Sequence, residues 1–188
     1  MSQAKKQIMR VVVTGPVGSG KTTFINTISE IETVGTDRRA TDETASLKAS
    51  TTVAMDFGRV NFGPEMSLHL YGTPGQERFN FMWDILLRNA HGVVVLVPAH
   101  RPKDFYGVSR IMRYAKQKSP DAPMLIAATH SDMEEAWSVE DILPALGIDP
   151  ETSQIPALSI NATAIKDVAQ TLIALAEQYA VRVPSTSG

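Results

Sequence analysis

The chain has 188 residues, a formal net charge of −2, 43% hydrophobic residues and no cysteine. That length suits one domain with its own core, the weak negative charge offers no field for nucleic acid, and the missing cysteine excludes disulfides, thiolate metal centres and prenylation. Without a signal-peptide stretch, a myristoylation glycine or an apolar run long enough to cross a bilayer, the expectation is a soluble cytoplasmic protein with no integral membrane segment.

Apolar runs alternate with amphipathic stretches along the chain. Strands are predicted at 7–14, 53–62, 66–71, 92–97, 124–129 and 155–160, and helices at 21–29, 78–89, 104–118, 139–146 and 165–179. The alternation predicts a three-layer α/β fold, a six-stranded, mainly parallel sheet with five flanking helices. Gly63-Pro64-Glu65 joins the second and third strands as a hairpin, which makes one edge antiparallel. Residues 30–51 are polar and poor in large apolar groups, and a loop of that length inside a domain is expected to be functional or mobile. The single domain is expected to span 1–188, with 183–188 as a flexible tail.

Between the first strand and the first helix stands Gly15-Pro16-Val17-Gly18-Ser19-Gly20-Lys21-Thr22, the G-x-x-x-x-G-K-T pattern of a phosphate-binding loop. Its glycines let the backbone curl so that N–H groups point inward, and the following helix adds its positive end at the same place. The expected nucleotide contacts here are Gly15, Val17, Gly18, Ser19, Gly20, Lys21, Thr22 and Thr23. Lys21 is directed at the β- and γ-phosphates, and the Thr22 hydroxyl at Mg²⁺.

Two later segments, Thr51-Thr52-Val53-Ala54-Met55-Asp56-Phe57 and Leu70-Tyr71-Gly72-Thr73-Pro74-Gly75-Gln76-Glu77-Arg78-Phe79, resemble switch I and switch II of Ras-like small GTPases. The resemblance implies that Thr52 ligates Mg²⁺ and senses the γ-phosphate, that Gly75 senses it as well, and that Gln76 orients the attacking water, with Lys21 as the second catalytic residue. Where that family carries Asn-Lys-x-Asp for guanine, this chain has Thr129-His130-Ser131-Asp132. Asp132 keeps the carboxylate that pairs with guanine, His130 stands in for the lysine stem and Thr129 for the asparagine; an N-cap role for Asp132 is the structural alternative. In Ser159-Ile160-Asn161-Ala162-Thr163-Ala164 the resemblance extends to Ala162, whose N–H would touch guanine O6, and to Asn161.

Departures from the family pattern are as informative. Gly72 stands where small GTPases have an aspartate that holds Mg²⁺ through water, so Thr73, Asp56 or Asp37 must help or the metal is held loosely. Val17 occupies a position often held by glycine, where bulk obstructs hydrolysis. No arginine precedes Thr52 in the place where some GTPases carry a catalytic one, and Arg38 and Arg39 read as solvated charge, so a finger supplied in trans or catalysis without one is expected. Phe79, Phe81, Met82 and Trp83 cannot all face inward from one helix, which predicts a partner surface there, while His69, His91 and His100 read as structural.

The resemblance therefore implies a switch that binds GTP or GDP with Mg²⁺, hydrolyses GTP slowly and signals to a protein effector. In Thr73-Pro74-Gly75-Gln76 the chain looks most like prokaryotic small GTPases of the MglA-like group, a resemblance that implies an activating partner of roadblock type, while the weak negative charge argues against a nucleic-acid partner. Two alternatives compete: a nucleotide-binding adaptor with little turnover, favoured by Val17 and Gly72, and a P-loop small-molecule kinase, disfavoured by Gln76 and the lack of an arginine-rich lid.

Overall fold

The computed structural model describes residues 6–32, 55–74 and 80–182. Its elements are β1 (Gln7–Thr14), α1 (Lys21–Ile28), β2 (Phe57–Phe62), β3 (Met66–Gly72), α2 (Asn80–Arg88), β4 (Gly92–Pro98), α3 (Phe105–Lys118), β5 (Met124–Thr129), α4 (Val139–Ala145), β6 (Ala157–Ser159) and α5 (Ile165–Arg182). The predicted six-stranded mixed sheet and its five helices are present, as an α/β P-loop NTPase-like architecture. A short 3₁₀ turn, Pro102–Asp104, precedes α3, because the proline at its start presets the backbone angle of a first turn.

The strand order is β2-β3-β1-β4-β5-β6, with only the β2–β3 hairpin antiparallel. β4 and β5 are buried along their whole length, as strands covered on both faces must be. Alternate residues feed two cores. Met9, Val11, Val13, Val94 and Leu96 pack with α1 and α5 through Phe24, Ile25, Leu172 and Leu175. Val12, Val93, Val95 and Val97 pack on the other side with Val108 and Met112 of α3 and Ile142 of α4. In α5 the buried residues Val168, Thr171, Leu172 and Leu175 follow the helical repeat that the sequence predicts.

β1 lies between β3 and β4, so the chain leaves its carboxyl end where connections depart in opposite directions across the sheet. In open α/β sheets that crevice is where ligands bind. Helix α1 presses unusually close to the hairpin on one side of it. Ile25 of α1 is fully buried, and a Cβ on Gly58 would lie 2.6 Å from its Cγ2, while a Cβ on Gly72 would lie 3.1 Å from its Cδ1. The two glycines form the socket that receives Ile25. Gly58→Ala is expected to lower the unfolding free energy by about 1–3 kcal/mol through overpacking, read by urea denaturation.

Candidate functional site

The loop after β1 bends on three glycines with φ of 152° at Gly15, 73° at Gly18 and 98° at Gly20. Gly15 also has no room for a side chain, since a Cβ there would meet both the Leu96 carbonyl oxygen and Ser19 Oγ at 2.6 Å. Gly20 is the N-cap of α1 and supplies no side-chain cap, and the first turn carries no acidic residue. The positive end of α1 therefore faces the loop without a side-chain anion on its own first turn.

Lys21 folds back over the loop, its Nζ donating to the carbonyl oxygens of Gly15 at 2.7 Å and Pro16 at 2.9 Å. Burial pushes its pKa down to about 8, against the pull of Asp56 and with a further push from the Arg101 charge. Thr22 Oγ1 donates to Asp56 Oδ2 at 2.5 Å. Asp56 stands just before β2, and its Cβ would lie 3.2 Å from a Cβ on Gly72. Its carboxylate thus occupies the space beside Gly72 that an acid at that position would need. Thr73 is turned away, donating from Oγ1 to Thr14 Oγ1 at 2.9 Å in the interior. Of the three residues considered for this role, Asp56 is the one brought to Thr22, and Asp37 lies outside the described residues. Hydroxyl and carboxylate oxygens side by side next to a phosphate-binding loop are hard donors that fit Mg²⁺. No cluster of three or more His, Cys, Asp or Glu side chains suited to a metal exists among the described residues.

The far side of the loop is held by β5. Thr129 is buried, and its Oγ1 donates to the Ser19 carbonyl at 2.7 Å. His130 adopts the left-handed region with φ 57°, uncommon for a residue with a side chain, and its Nε2 lies 3.3 Å from the Gly18 carbonyl oxygen. His100 stacks edge-on against His130 with ring centroids 4.7 Å apart. Asp132 is exposed on the turn that follows. It caps no helix: Ser138 is the N-cap of α4, accepting from the Asp141 N–H. Ala162 approaches the loop closely, a Cβ on Gly20 lying 3.7 Å from its own Cβ, and its carbonyl accepts from Thr27 Oγ1 at 2.7 Å. Asn161 is spent locally, its Oδ1 accepting from the Thr163 N–H and hydroxyl.

Val17 projects outward and is 62% exposed. The expected switch residues Thr52, Gly75 and Gln76, together with Thr51, Arg38, Arg39, Phe79 and the tail at 183–188, lie outside the described residues. On α2, Phe81 and Ile85 share one exposed stripe, while Leu87 is buried and Trp83 Nε1 donates to the Pro74 carbonyl at 3.1 Å. Of the four residues expected to leave apolar groups outside the core, Phe81 is exposed, Met82 and Trp83 are half-buried, and Phe79 lies outside the described residues.

One residue of the site was missed by sequence reasoning. Arg101, in the turn after β4, donates from Nη2 to the Val17 carbonyl at 2.5 Å and pairs with Asp104 at 2.8 Å. Its place at the carboxyl end of a central strand is the signal that was available. Thr129→Val should leave the fold intact but lower stability by about 1 kcal/mol in urea denaturation, because the Ser19 carbonyl loses its buried donor.

A family model described as "Conserved hypothetical ATP binding protein" matches residues 31–180. "Ras-related protein Rab-12" of Mus musculus is 27% identical over 130 residues, 67% of this chain and 49% of that protein. "Ras-related protein RabC" of Dictyostelium discoideum is 26% identical over 132 residues, covering 67% of this chain and 61% of its own length. "ADP-ribosylation factor-like protein 6" of Caenorhabditis elegans is 28% identical over 151 residues, 77% of this chain and 72% of that protein. The chain spans about half the length of the Rab-12 relatives it matches. No helix among the described residues is long and apolar enough to cross a membrane. The family match begins beyond the phosphate-binding loop, so loop and match rest on different stretches of the chain. Its relatives are Ras-like small GTPases at low identity, and the chain belongs to the nucleotide-binding family described as a conserved hypothetical ATP binding protein.

Proposed function

We propose that this chain is a single G domain acting as a GTP-binding switch that hydrolyses GTP slowly. The observation that carries the reading is the convergence of the Lys21 ammonium, the uncapped end of α1 and the Thr22–Asp56 oxygen pair on one phosphate-binding loop. Backbone N–H groups of Gly15 and of Val17 through Thr23, with the Lys21 ammonium, hold the phosphates. Mg²⁺ is held by the Thr22 hydroxyl and by Thr52, with Asp56 in the part that the acid at Gly72 would otherwise take. The ion would supply charge neutralisation on the phosphates. Gly75 senses the γ-phosphate and Gln76 orients the water.

Guanine is favoured over adenine because Asp132 is exposed and uncommitted to any cap, free to accept from the guanine N1–H and exocyclic amine. His130, beside the Gly18 carbonyl, is assigned to the base side of the loop, and Ala162, close to Gly20, to the N–H contact with guanine O6. Thr129 acts through the loop carbonyl it binds, and Asn161 contributes through the shape of its own turn. The family's description names ATP, so base choice is the point on which the reading is exposed.

Kinship with the prokaryotic MglA-like group, a cytoplasmic location, a protein effector on the exposed Phe81–Ile85 stripe and a roadblock-type activating partner belong to the same proposal. The adaptor alternative retains Val17, whose bulk stands on the loop, while Asp56 beside Thr22 supports metal binding without an acid at Gly72.

Chromatographic identification of co-purified nucleotide, with GTP and ATP turnover by the wild type and Gln76→Ala, tests this. Bound guanine nucleotide and slow GTP turnover that falls at least about tenfold in Gln76→Ala are expected. Equal handling of ATP would overturn the guanine assignment, and no turnover would favour the adaptor. For Asp56→Asn, GDP release in Mg²⁺ is expected to quicken about tenfold, close to 1.4 kcal/mol of lost binding, and to approach the rate seen with a chelator. An unchanged rate would remove Asp56 from the metal site.

A further inference from the structure

Three successive carbonyls of the phosphate-binding loop are held by two cations. Lys21 takes those of Gly15 and Pro16, and Arg101 takes that of Val17. The two charges are close enough that Arg101 depresses the lysine's affinity for its proton. Each cation has an acid beside it, Asp104 paired with Arg101 and Asp56 acting on Lys21, so an anion arriving at the loop would meet two guided cations that are neutralised only by side chains.

Arg101 is placed to meet such an anion. The turn that carries it is pinned from within, Arg101 N–H donating to the Pro98 carbonyl at 3.0 Å and Asp104 N–H to the Arg101 carbonyl at 3.0 Å. The same turn is tied to β5, since Ala99 N–H donates to the Thr129 carbonyl at 2.9 Å. At the tip, Nη1 lies 3.2 Å from where a Cβ on Gly18 would be, so the guanidinium rests on the face of the loop at a glycine. Its buried Nε has no hydrogen-bond partner among the described residues. A guanidinium carries five donors in a planar fork, and among the described residues Nη2 alone is engaged, by Val17 and Asp104, which leaves donors for phosphate oxygens.

We propose that Arg101 is a phosphate-gripping arginine supplied by this same chain, leaving the Val17 carbonyl for the terminal phosphate of a bound nucleoside triphosphate while Asp104 tethers it. This rests on the nucleotide-switch reading above and replaces the expected need for an arginine in trans. In hydrolysis, the water oxygen forms a bond to the γ-phosphorus. The bond from that phosphorus to the β–γ bridging oxygen breaks, its electron pair stays on the diphosphate, and the water's proton passes to the released phosphate. Negative charge grows on the bridging oxygen, and a guanidinium at the loop's face stabilises it.

The test compares wild type, Arg101→Ala, Arg101→Lys and Asp104→Asn in GTP and GDP affinity, measured with fluorescent nucleotides, and in single-turnover GTP hydrolysis, with thermal melts run alongside. In Arg101→Ala the preference for GTP over GDP is expected to fall at least about tenfold with GDP affinity nearly unchanged, and hydrolysis by about a hundredfold or more. Lysine restores little, lacking the planar fork, and guanidinium ion restores part of the alanine variant's rate. Asp104→Asn, which keeps the arginine and removes its tether, lowers the GTP preference by less than Arg101→Ala does. Parallel loss of GTP and GDP affinity, or an unchanged preference in both the alanine and the Asp104 variants, would reduce Arg101 to a clamp on the loop and overturn the proposal. Should the wild type hydrolyse no GTP, the switch reading fails, while the GTP-over-GDP preference still decides Arg101.

Discussion

Two missing side chains on the β2–β3 hairpin set how closely α1 can lie against the sheet, and the site depends on that distance. Ile25 seats itself against Gly58 and Gly72, so the helix that begins at Lys21 is drawn onto the hairpin. Asp56, adjoining Gly72 through a backbone bond from the Gly72 N–H to the Asp56 carbonyl at 2.8 Å, then has its carboxylate at Thr22. A side chain at Gly72 would compete for the space of both Ile25 and Asp56. The absence of a side chain at Gly72 on β3 and the position of Asp56 just before β2 are thus sterically linked.

The loop itself is held by its carbonyls, which leaves its N–H side for an anion. Lys21, Arg101 and Thr129 donate to the carbonyls of Gly15, Pro16, Val17 and Ser19, and His130 lies against that of Gly18. These donors come from α1, from the turn after β4 and from the end of β5, elements whose strands are neighbours in the sheet. The left-handed backbone of His130 is a local cost of about 1–3 kcal/mol that the surrounding bonds sustain. Packing on both faces of β4 and β5 supplies the rigidity this arrangement requires.

Much of the fold was legible because its signals are local. The fully apolar runs of β4 and β5, the helical repeat of α5 and the Gly63 hairpin state their own conformations. The strand expected at 155–160 shortens to Ala157–Ser159, since it pairs with only one neighbour at the sheet's edge. The helix expected from 104 begins one residue later, after the proline-led turn. The reading of Asp132 as a helix cap fails because Ser138, with Asp141 three residues on, forms the cap instead.

From the sequence alone followed the phosphate-binding loop, the α/β order and the family resemblance, since each is written in contiguous residues whose spacing the backbone must obey. Only the tertiary structure decided which acid stands by Thr22 and which arginine leans on the loop. Asp56 lies 34 residues from Thr22, and Arg101 lies 84 from Val17. Their meeting is set by strand order and by how far a helix can sink between two glycines, quantities that no local pattern of residues expresses.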